Sequence, residues 1–145
     1  MRGRSARRIV RAMIVQRLDH VNIITDRLAE TARFYAELLD LEERDGPPPL
    51  KPKHVRWMVD HAGNAILHLN SVDCPRAYDR NVVPGAATGA IHHIALRCGE
   101  FETVKARLGA RGADYRVNDL GAIGLRQIFT ADPNNVLLEL NFFAA

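Results

Sequence analysis

Two stretches of the chain alternate apolar and polar residues in nearly the same order. The segment 18–23 (Leu-Asp-His-Val-Asn-Ile) recurs as 91–96 (Ile-His-His-Ile-Ala-Leu), which places His93 at 73 residues from His20. Each segment is followed by an amphipathic helical pattern. The apolar stripes of the two predicted helices are Leu28, Phe34, Tyr35, Leu38 and Leu39 in the first, and Phe101, Val104 and Leu108 in the second. An internal repeat therefore organises the sequence.

Short apolar runs with the composition of β-strands follow each predicted helix, and turn residues separate them. They span 42–44, 55–59 and 65–70 in the first half, and 114–118, 125–130 and 136–142 in the second. Each half thus predicts one strand, one helix and three strands. We predict an α+β fold in which two βαβββ modules form a curved mixed sheet, a half-barrel cup, with the helices packed outside it. Halves of roughly 55 to 60 residues are marginal alone, so the two should share a core.

The modules are predicted at residues 14–74 and 90–145, with a connection at 75–89 that contains prolines and glycines. Residues 1–13 read as a disordered basic arm, as a translated leader before a domain that begins at Met13, or as a targeting peptide. The apolar centre of a secretory signal is missing from them.

Charge and hydropathy narrow the class of partner. The chain has 20 basic and 17 acidic residues, and five of the basic residues precede Met13: Arg2, Arg4, Arg7, Arg8 and Arg11. Without these five the balance is 15 against 17, so the charge of the body does not suggest a nucleic-acid partner. No apolar run approaches the roughly 18 residues that span a bilayer, so no membrane partner is expected. The two cysteines, Cys74 and Cys98, lack a CxxC spacing, so no disulfide framework is expected. A reducing cytoplasm is therefore the expected compartment.

Strand alternation gives four strands one metal-binding group each. Successive residues of a strand point to opposite faces, so an aliphatic face packs under the helices and the other face carries the polar group. These groups lie on the first and last strands of each half: His20, His68, His93 and Glu139. A carboxylate among leucines is costly to bury unless it is paired or binds a metal. The pattern therefore predicts that the four residues gather in the cup and hold one divalent ion.

Imidazole and carboxylate donors suit Zn, Ni, Co, Mn or Fe(II). Without His68 the set becomes two histidines and one carboxylate, the composition of non-haem Fe(II) sites. Further polar residues are candidates for contact with a small-molecule substrate: Asn22, Arg97, Gln127 and Asn141. His92 is expected to point away from His93 and to lie outside the site.

Four motifs carry a resemblance to a known family. They are 18–21 (Leu-Asp-His-Val), 33–41 (from Arg-Phe-Tyr to Leu), 92–95 (His-His-Ile-Ala) and 132–140, which runs from Asp-Pro-Asn-Asn to Leu-Glu-Leu. The chain resembles the vicinal oxygen chelate superfamily, which includes glyoxalase I, extradiol dioxygenases and bleomycin-binding proteins. Asn135 replaces the family's usual glycine, and asparagine also tolerates a left-handed backbone. The resemblance implies that His20, His93 and Glu139 occupy the commonest metal positions and that His68 occupies the fourth.

Three functions are open at this point. The first is a metal-dependent glyoxalase-type enzyme, a lyase or isomerase, in which His68 or Glu139 moves a proton next to a metal-chelated carbonyl. The second is an Fe(II) extradiol-type dioxygenase, and the third is a metal-free protein that sequesters a small molecule such as a drug. The resemblance also implies a homodimer, which would cover open sheet edges.

Overall fold

The structure, a computed structural model, describes residues 17–75, 83–85, 87–89 and 91–144. The predicted tail at 1–13 lies outside these residues. The elements of the first half are β1 (Val21–Thr25), α1 (Leu28–Leu39), β2 (Glu42–Asp45), β3 (Val55–Val59) and β4 (Ala65–Ser71). Those of the second half are β5 (Ile94–Arg97), α2 (Phe101–Ala110), β6 (Tyr115–Leu120), a 3-10 turn (Gly121–Ile123), β7 (Leu125–Ala131) and β8 (Leu137–Phe143).

The strands form two four-stranded sheets of identical topology, in the orders β1-β4-β3-β2 and β5-β8-β7-β6. The first strand of each half runs parallel to the last, and the other neighbours are antiparallel. The prediction of an α+β fold built from two βαβββ modules is confirmed. One detail differs: among the described residues no strand ladder joins β1 or β5 to the other module, so there are two sheets instead of one continuous curved sheet.

Both helices contribute to a single apolar core. Helix α1 buries Phe34, Tyr35 and Leu38, and α2 buries Phe101, Val104 and Leu108, as the stripes of the sequence predict. The same core includes residues from one face of each sheet: Met58, Leu67 and Leu69 from the first, and Ile128, Leu138 and Leu140 from the second. Because strand residues alternate, the residues between these point to the opposite face. We call that opposite face the site face; it carries His68 in the first sheet and Glu139 in the second.

The turn between β7 and β8 connects the two modules. Asn134 donates from its amide nitrogen to Thr31 Oγ1 (2.9 Å) at the start of α1 and accepts a hydrogen bond from Thr25 Oγ1 (2.5 Å) at the end of β1. Tyr35 donates to Asp132 Oδ2 (3.1 Å), and burial, followed by the Asp132 carboxylate, holds the pKa of Tyr35 well above its usual value. Asn135 has a φ of 62°, the left-handed conformation expected where the family has glycine. Polar side chains thus complete the interface between the modules.

No helix among the described residues is long and apolar enough to cross a membrane.

Candidate metal centre

The first half-site is a stack of three rings on the first sheet. His68 lies between His20, with ring centroids 3.8 Å apart, and Trp57, with centroids 4.4 Å apart, and all three planes are nearly parallel. Asp19 Oδ2 accepts a hydrogen bond from His20 Nδ1 at 2.7 Å. That bond fixes the tautomer of His20 and leaves its Nε2 available to a metal ion.

The electrostatics of this half-site favour neutral imidazole at His68. Its partial burial, followed by the nearby His20, lowers the pKa of His68. The hydrogen bond from His20 likewise holds the pKa of the exposed Asp19 carboxyl below its usual value. A metal ion binds only the neutral form of histidine, so this environment prepares His68 for that role or for accepting a proton.

The second half-site pairs a histidine with a carboxylate on the second sheet. His93 Nε2 lies 3.2 Å from Glu139 Oε2, and the Glu139 side chain is only 17% exposed. The other oxygen, Oε1, accepts two hydrogen bonds of 2.9 Å, from Gln127 Nε2 and from Asn141 Nδ2. One carboxylate oxygen is therefore held by amides, while the other faces the histidine.

A row of amides extends this network across three strands. Asn118 donates to Gln127 Oε1 (2.8 Å), and Gln127 donates in turn to Asn141 Oδ1 (2.9 Å). These three residues are register neighbours on β6, β7 and β8. Hydrogen-bonded partners of this kind orient ligand carboxylates and tune metal affinity.

The strand register shows that the half-sites are related by the repeat. Val21 pairs with Leu67, the residue before His68, and Ile94 pairs with Leu138, the residue before Glu139. One strand further, Trp57 pairs with His68 and Phe129 pairs with Glu139. Each module therefore places one histidine or carboxylate on its last strand, one histidine just before its first strand and one aromatic residue at equivalent positions.

The structure brings the predicted site residues together in pairs. His20 meets His68, and His93 meets Glu139, but among the described residues no group of three or more His, Cys, Asp or Glu side chains is close enough to hold a metal ion. The gathering of all four in one chain, which the strand alternation predicted, is not observed. Alternation determines the face on which each residue lies; it does not determine how the two sheets are placed relative to each other.

The four predicted substrate contacts all lie on site faces. Gln127 and Asn141 bind Glu139, as described above. Asn22 donates to Asn70 Oδ1 (2.5 Å), and Asn70 donates to the Cys74 thiol (3.1 Å). Arg97 lies over the ring of Phe143, with its guanidinium carbon 4.6 Å from the ring centroid.

Two details of the histidines depart from the sequence interpretation. His20 and His93 each precede their strand by one residue, whereas the pattern predicted them within it. The expectation that His92 points away from His93 is wrong, because their Nδ1 atoms are 3.0 Å apart and their rings meet edge to face. Both residues precede β5, where strand alternation no longer applies.

Sequence reasoning missed Asp19, Trp57, Asn118 and Phe129. Trp57 lies on β3, where it pairs with His68. Extending the repeat to the third strand of each module would have found it, because Trp57 and Phe129 are equivalent in register. Asp19 was visible as the direct neighbour of His20 in the first motif.

The paired βαβββ fold and its histidine and carboxylate half-sites define a class of protein in which each module carries a pair of side chains of the types that bind metals. The family model described as Glyoxalase/Bleomycin resistance protein/Dioxygenase superfamily matches residues 17–140. The chain belongs to this superfamily, as the resemblance in its motifs implied. No curated protein matches the sequence.

Solved structures share the fold at low sequence identity. A glyoxalase family protein from Bacillus anthracis is 20% identical, with a TM-score of 0.65, over 90% of this chain and 97% of that chain. A glyoxylase/bleomycin resistance protein/dioxygenase domain from Frankia sp. EAN1pec is 18% identical, with a TM-score of 0.64, over 90% and 93%. A variant of the fosfomycin resistance protein FosX from Listeria monocytogenes, complexed with Mn(II) and a dihydroxypropylphosphonic acid, is 18% identical, with a TM-score of 0.63, over 90% and 95%.

Proposed function

We propose that this protein is a divalent-metal-dependent enzyme of the glyoxalase type. It would move a proton next to a carbonyl group of a small substrate whose oxygens bind the metal. The observation that carries the proposal is the repeat-related pairing of His20 with His68 and of His93 with Glu139. The ion would be one of Zn, Ni, Co, Mn and Fe(II), and it would polarise the carbonyl as a Lewis acid.

The donor set fits such an ion. His20 has Nε2 available because Asp19 holds its Nδ1, and Glu139 has Oε2 available because Gln127 and Asn141 hold its Oε1. His93 Nε2 and Glu139 Oε2 lie 3.2 Å apart, as two ligands of one site would. His68 completes the set either as a fourth ligand or as the group that accepts the proton.

We further propose that one site is formed by two copies of the chain. In each module the helix covers the face of the sheet opposite to the site face, so a single chain leaves both site faces open. His20 and His93 are correspondingly exposed, at 36% and 37% of the side chain. In a twofold homodimer, the first sheet of one copy can face the second sheet of the other, and symmetry then produces two identical sites.

The proton transfer would use a base that is neutral or anionic near pH 7. His68 meets this condition because burial, followed by His20, lowers its pKa. Trp57 packs on the opposite side of the His68 ring and restricts its orientation. Glu139 is the alternative base, with its Oε2 directed toward His93.

An Fe(II) extradiol-type dioxygenase is the second candidate, and the composition of His20, His93 and Glu139 favours it. Oxygen uptake with catechols after anaerobic loading with Fe(II) would separate this activity from proton transfer.

Cys74 and Cys98 are free thiols, and burial raises the pKa of Cys98 to about 11. A free thiol that burial keeps protonated, as in Cys98, suits a reducing cytoplasm, where we expect the enzyme to work.

Complementation between two variants tests the proposed site. His20→Ala and Glu139→Gln each remove one ligand from a different module, so we expect both homodimers to bind Mn(II) at least about tenfold more weakly. Mn(II) is the first ion to try, because a solved relative of the same fold contains it. When the two variants are unfolded together and refolded, each mixed dimer would have one site with both substitutions and one intact site.

Recovery of tight Mn(II) binding in the mixture, at one equivalent per mixed dimer, would support the shared site. Tight binding by neither the mixture nor the unmodified protein, with all five ions tried, would refute the metal-dependent function and favour the metal-free binding protein. If the unmodified protein binds Mn(II) tightly and the refolded mixture does not, the site lies within one chain and the two-copy arrangement is refuted.

A further inference from the structure

We infer that Arg97 binds an anionic group of the substrate, so that the substrate is a small organic acid with a negative charge remote from its metal-binding oxygens. This inference rests on the proposed function and adds the class of substrate to it. Four observations carry it: the face on which Arg97 lies, its position relative to Glu139, the state of its guanidinium group, and the charges around it.

Arg97 lies on the same face as the second half-site. In the ladder between β5 and β8, Ala95 pairs with Glu139 and Arg97 pairs with Asn141. Residues two apart on a strand share a face, so Arg97 and Asn141 lie one step along the sheet from Glu139. The side chain of Arg97 continues in that direction, because its guanidinium lies over Phe143.

The strand spacing gives the distance that the substrate must bridge. Asn141 and Phe143 lie two and four residues beyond Glu139, or about 7 and 13 Å at the usual rise of about 3.3 Å per residue. The guanidinium therefore lies on the order of 10 Å from the carboxylate. An extended six-carbon dicarboxylate, with a metal–oxygen bond of about 2 Å at one end and a hydrogen bond of about 2.8 Å at the other, covers a comparable separation.

The guanidinium of Arg97 contacts an aromatic ring and keeps its hydrogen-bond donors. Six other arginines in the described part of the chain form ion pairs with carboxylates: Arg27, Arg44, Arg56, Arg107, Arg111 and Arg126. Within that same part, Arg97 forms none, like Arg17, Arg33 and Arg116, and its contact is with the ring of Phe143. A guanidinium over an aromatic ring makes this contact without using its N–H groups as hydrogen-bond donors, so they can bind a carboxylate or a phosphonate in bidentate fashion.

The charges on this face favour an anion. By register, the site face of the second sheet carries Ala95, Arg97, Arg116, Asn118, Leu120, Leu125, Gln127, Phe129, Ala131, Leu137, Glu139, Asn141 and Phe143. Glu139 is the one acid among these residues, and amide donors already hold one of its oxygens. The neighbouring amides of Gln127 and Asn141 are engaged with Glu139 and with each other, so they do not compete for Arg97.

The test compares two ligands that differ in one charge. 2-Hydroxyhexanoate and 2-hydroxyadipate offer the same pair of oxygens to the metal, and the second adds a carboxylate at the far end. We expect isothermal titration of the Mn(II)-loaded protein at low salt to show about tenfold tighter binding of 2-hydroxyadipate, or about 1.4 kcal/mol. Arg97→Met should abolish this preference, and Arg97→Lys should retain part of it.

Two control variants separate local binding from a general effect of net charge. Arg116→Met removes a charge from the same face at the opposite edge strand, and Arg33→Met removes an exposed charge from helix α1. Both should keep the preference. Any of three results would overturn the inference. The unmodified protein could bind the two ligands equally well, the preference could survive Arg97→Met, or it could be lost in Arg116→Met.

Failure of the metal site remains distinguishable from failure of the anion site. Mn(II) binding is first measured for Arg97→Met without organic acid, and it should match the unmodified protein. Adipate and hexanoate are then added to metal-free protein, with the backbone amides of β5 and β8 observed by NMR. Adipate-specific shifts around Arg97 would support the anion site even if no metal binds, and their absence in protein that does bind Mn(II) would refute the anion site alone.

Discussion

Replacing Asn134 by alanine should destabilise the protein without disturbing the turn that contains it. Asn134 is 5% exposed, and its side chain forms three hydrogen bonds, with Thr25, Thr31 and Asp132. A typical net contribution is about 1 kcal/mol for each bond. The hydroxyl of Thr25 keeps the backbone N–H of Arg27 as a partner and lies 3.3 Å from that of Thr31, which limits the additional cost of unsatisfied groups. We therefore expect Asn134→Ala to lower the free energy of unfolding by about 2–3 kcal/mol.

The first module shows that alanine is compatible with this turn. Asp60 Oδ1 accepts a hydrogen bond from the backbone N–H of Ala62 (3.0 Å), just as Asp132 Oδ1 accepts one from that of Asn134 (2.8 Å). Ala62 thus occupies the position that Asn134 has in the second module. A loss of stability in Asn134→Ala can therefore be assigned to the side-chain contacts with α1 and β1 instead of to backbone strain.

Urea unfolding of metal-free protein, at one fixed protein concentration, measures this effect. The midpoint should fall with an unchanged slope, and the melting temperature should fall by about 5–10 °C for a chain of this size. The matched control is Ala62→Asn, which adds the same side chain at an exposed position and should change stability by less than about 0.5 kcal/mol. The reasoning is refuted if Asn134→Ala unfolds within 0.5 kcal/mol of the unmodified protein, or if the two variants lose similar amounts.

Three further predictions follow from the contacts described above. Gln127→Ala removes a donor from Glu139 and should weaken Mn(II) binding by about 10- to 100-fold, with an unchanged circular dichroism spectrum; unchanged affinity would contradict a role for the amide row. Tyr35→Phe should cost about 1 kcal/mol at neutral pH. Because the folded state raises the pKa of Tyr35, its hydroxyl stabilises the fold below the unfolded value of about 10, and this contribution is lost as the pH rises further. The unmodified protein should therefore lose stability more steeply than Tyr35→Phe above about pH 10. Finally, Trp57 is the single tryptophan and stacks on His68, so Mn(II) should quench its fluorescence, and His68→Ala should abolish or strongly reduce that response.

The repeat explains why so much of the fold was readable from the sequence. The motif around His20 recurs around His93, and the runs after each helix fall within a residue or two of β3, β4, β7 and β8. Burial on one side of a sheet forces alternation along each strand. The same alternation correctly assigned His68 and Glu139 to the face away from the core.

The assembly of the site could not be predicted from the sequence in the same way. Alternation and register are properties of one sheet, whereas the meeting of His20 with Glu139 depends on the placement of two sheets and, in our proposal, on a second copy of the chain. The contact of Trp57 with His68 is a second feature that the sequence pattern did not predict. The Trp57 ring packs on His68 from a neighbouring strand, and only the register between β3 and β4 reveals that neighbour.

The contacts of the turn between β7 and β8 also bear on the order in which the chain acquires its structure during synthesis. Thr25 and Thr31 are translated early, but their partner Asn134 lies 109 and 103 residues further along the chain. The hydrogen bonds at the N-terminal end of α1 are therefore completed only after residue 134 has been synthesised. A nascent first module has to persist through this delay with its hydroxyl groups bound to water or to each other, and the hairpin of β7 and β8 then completes the first helix.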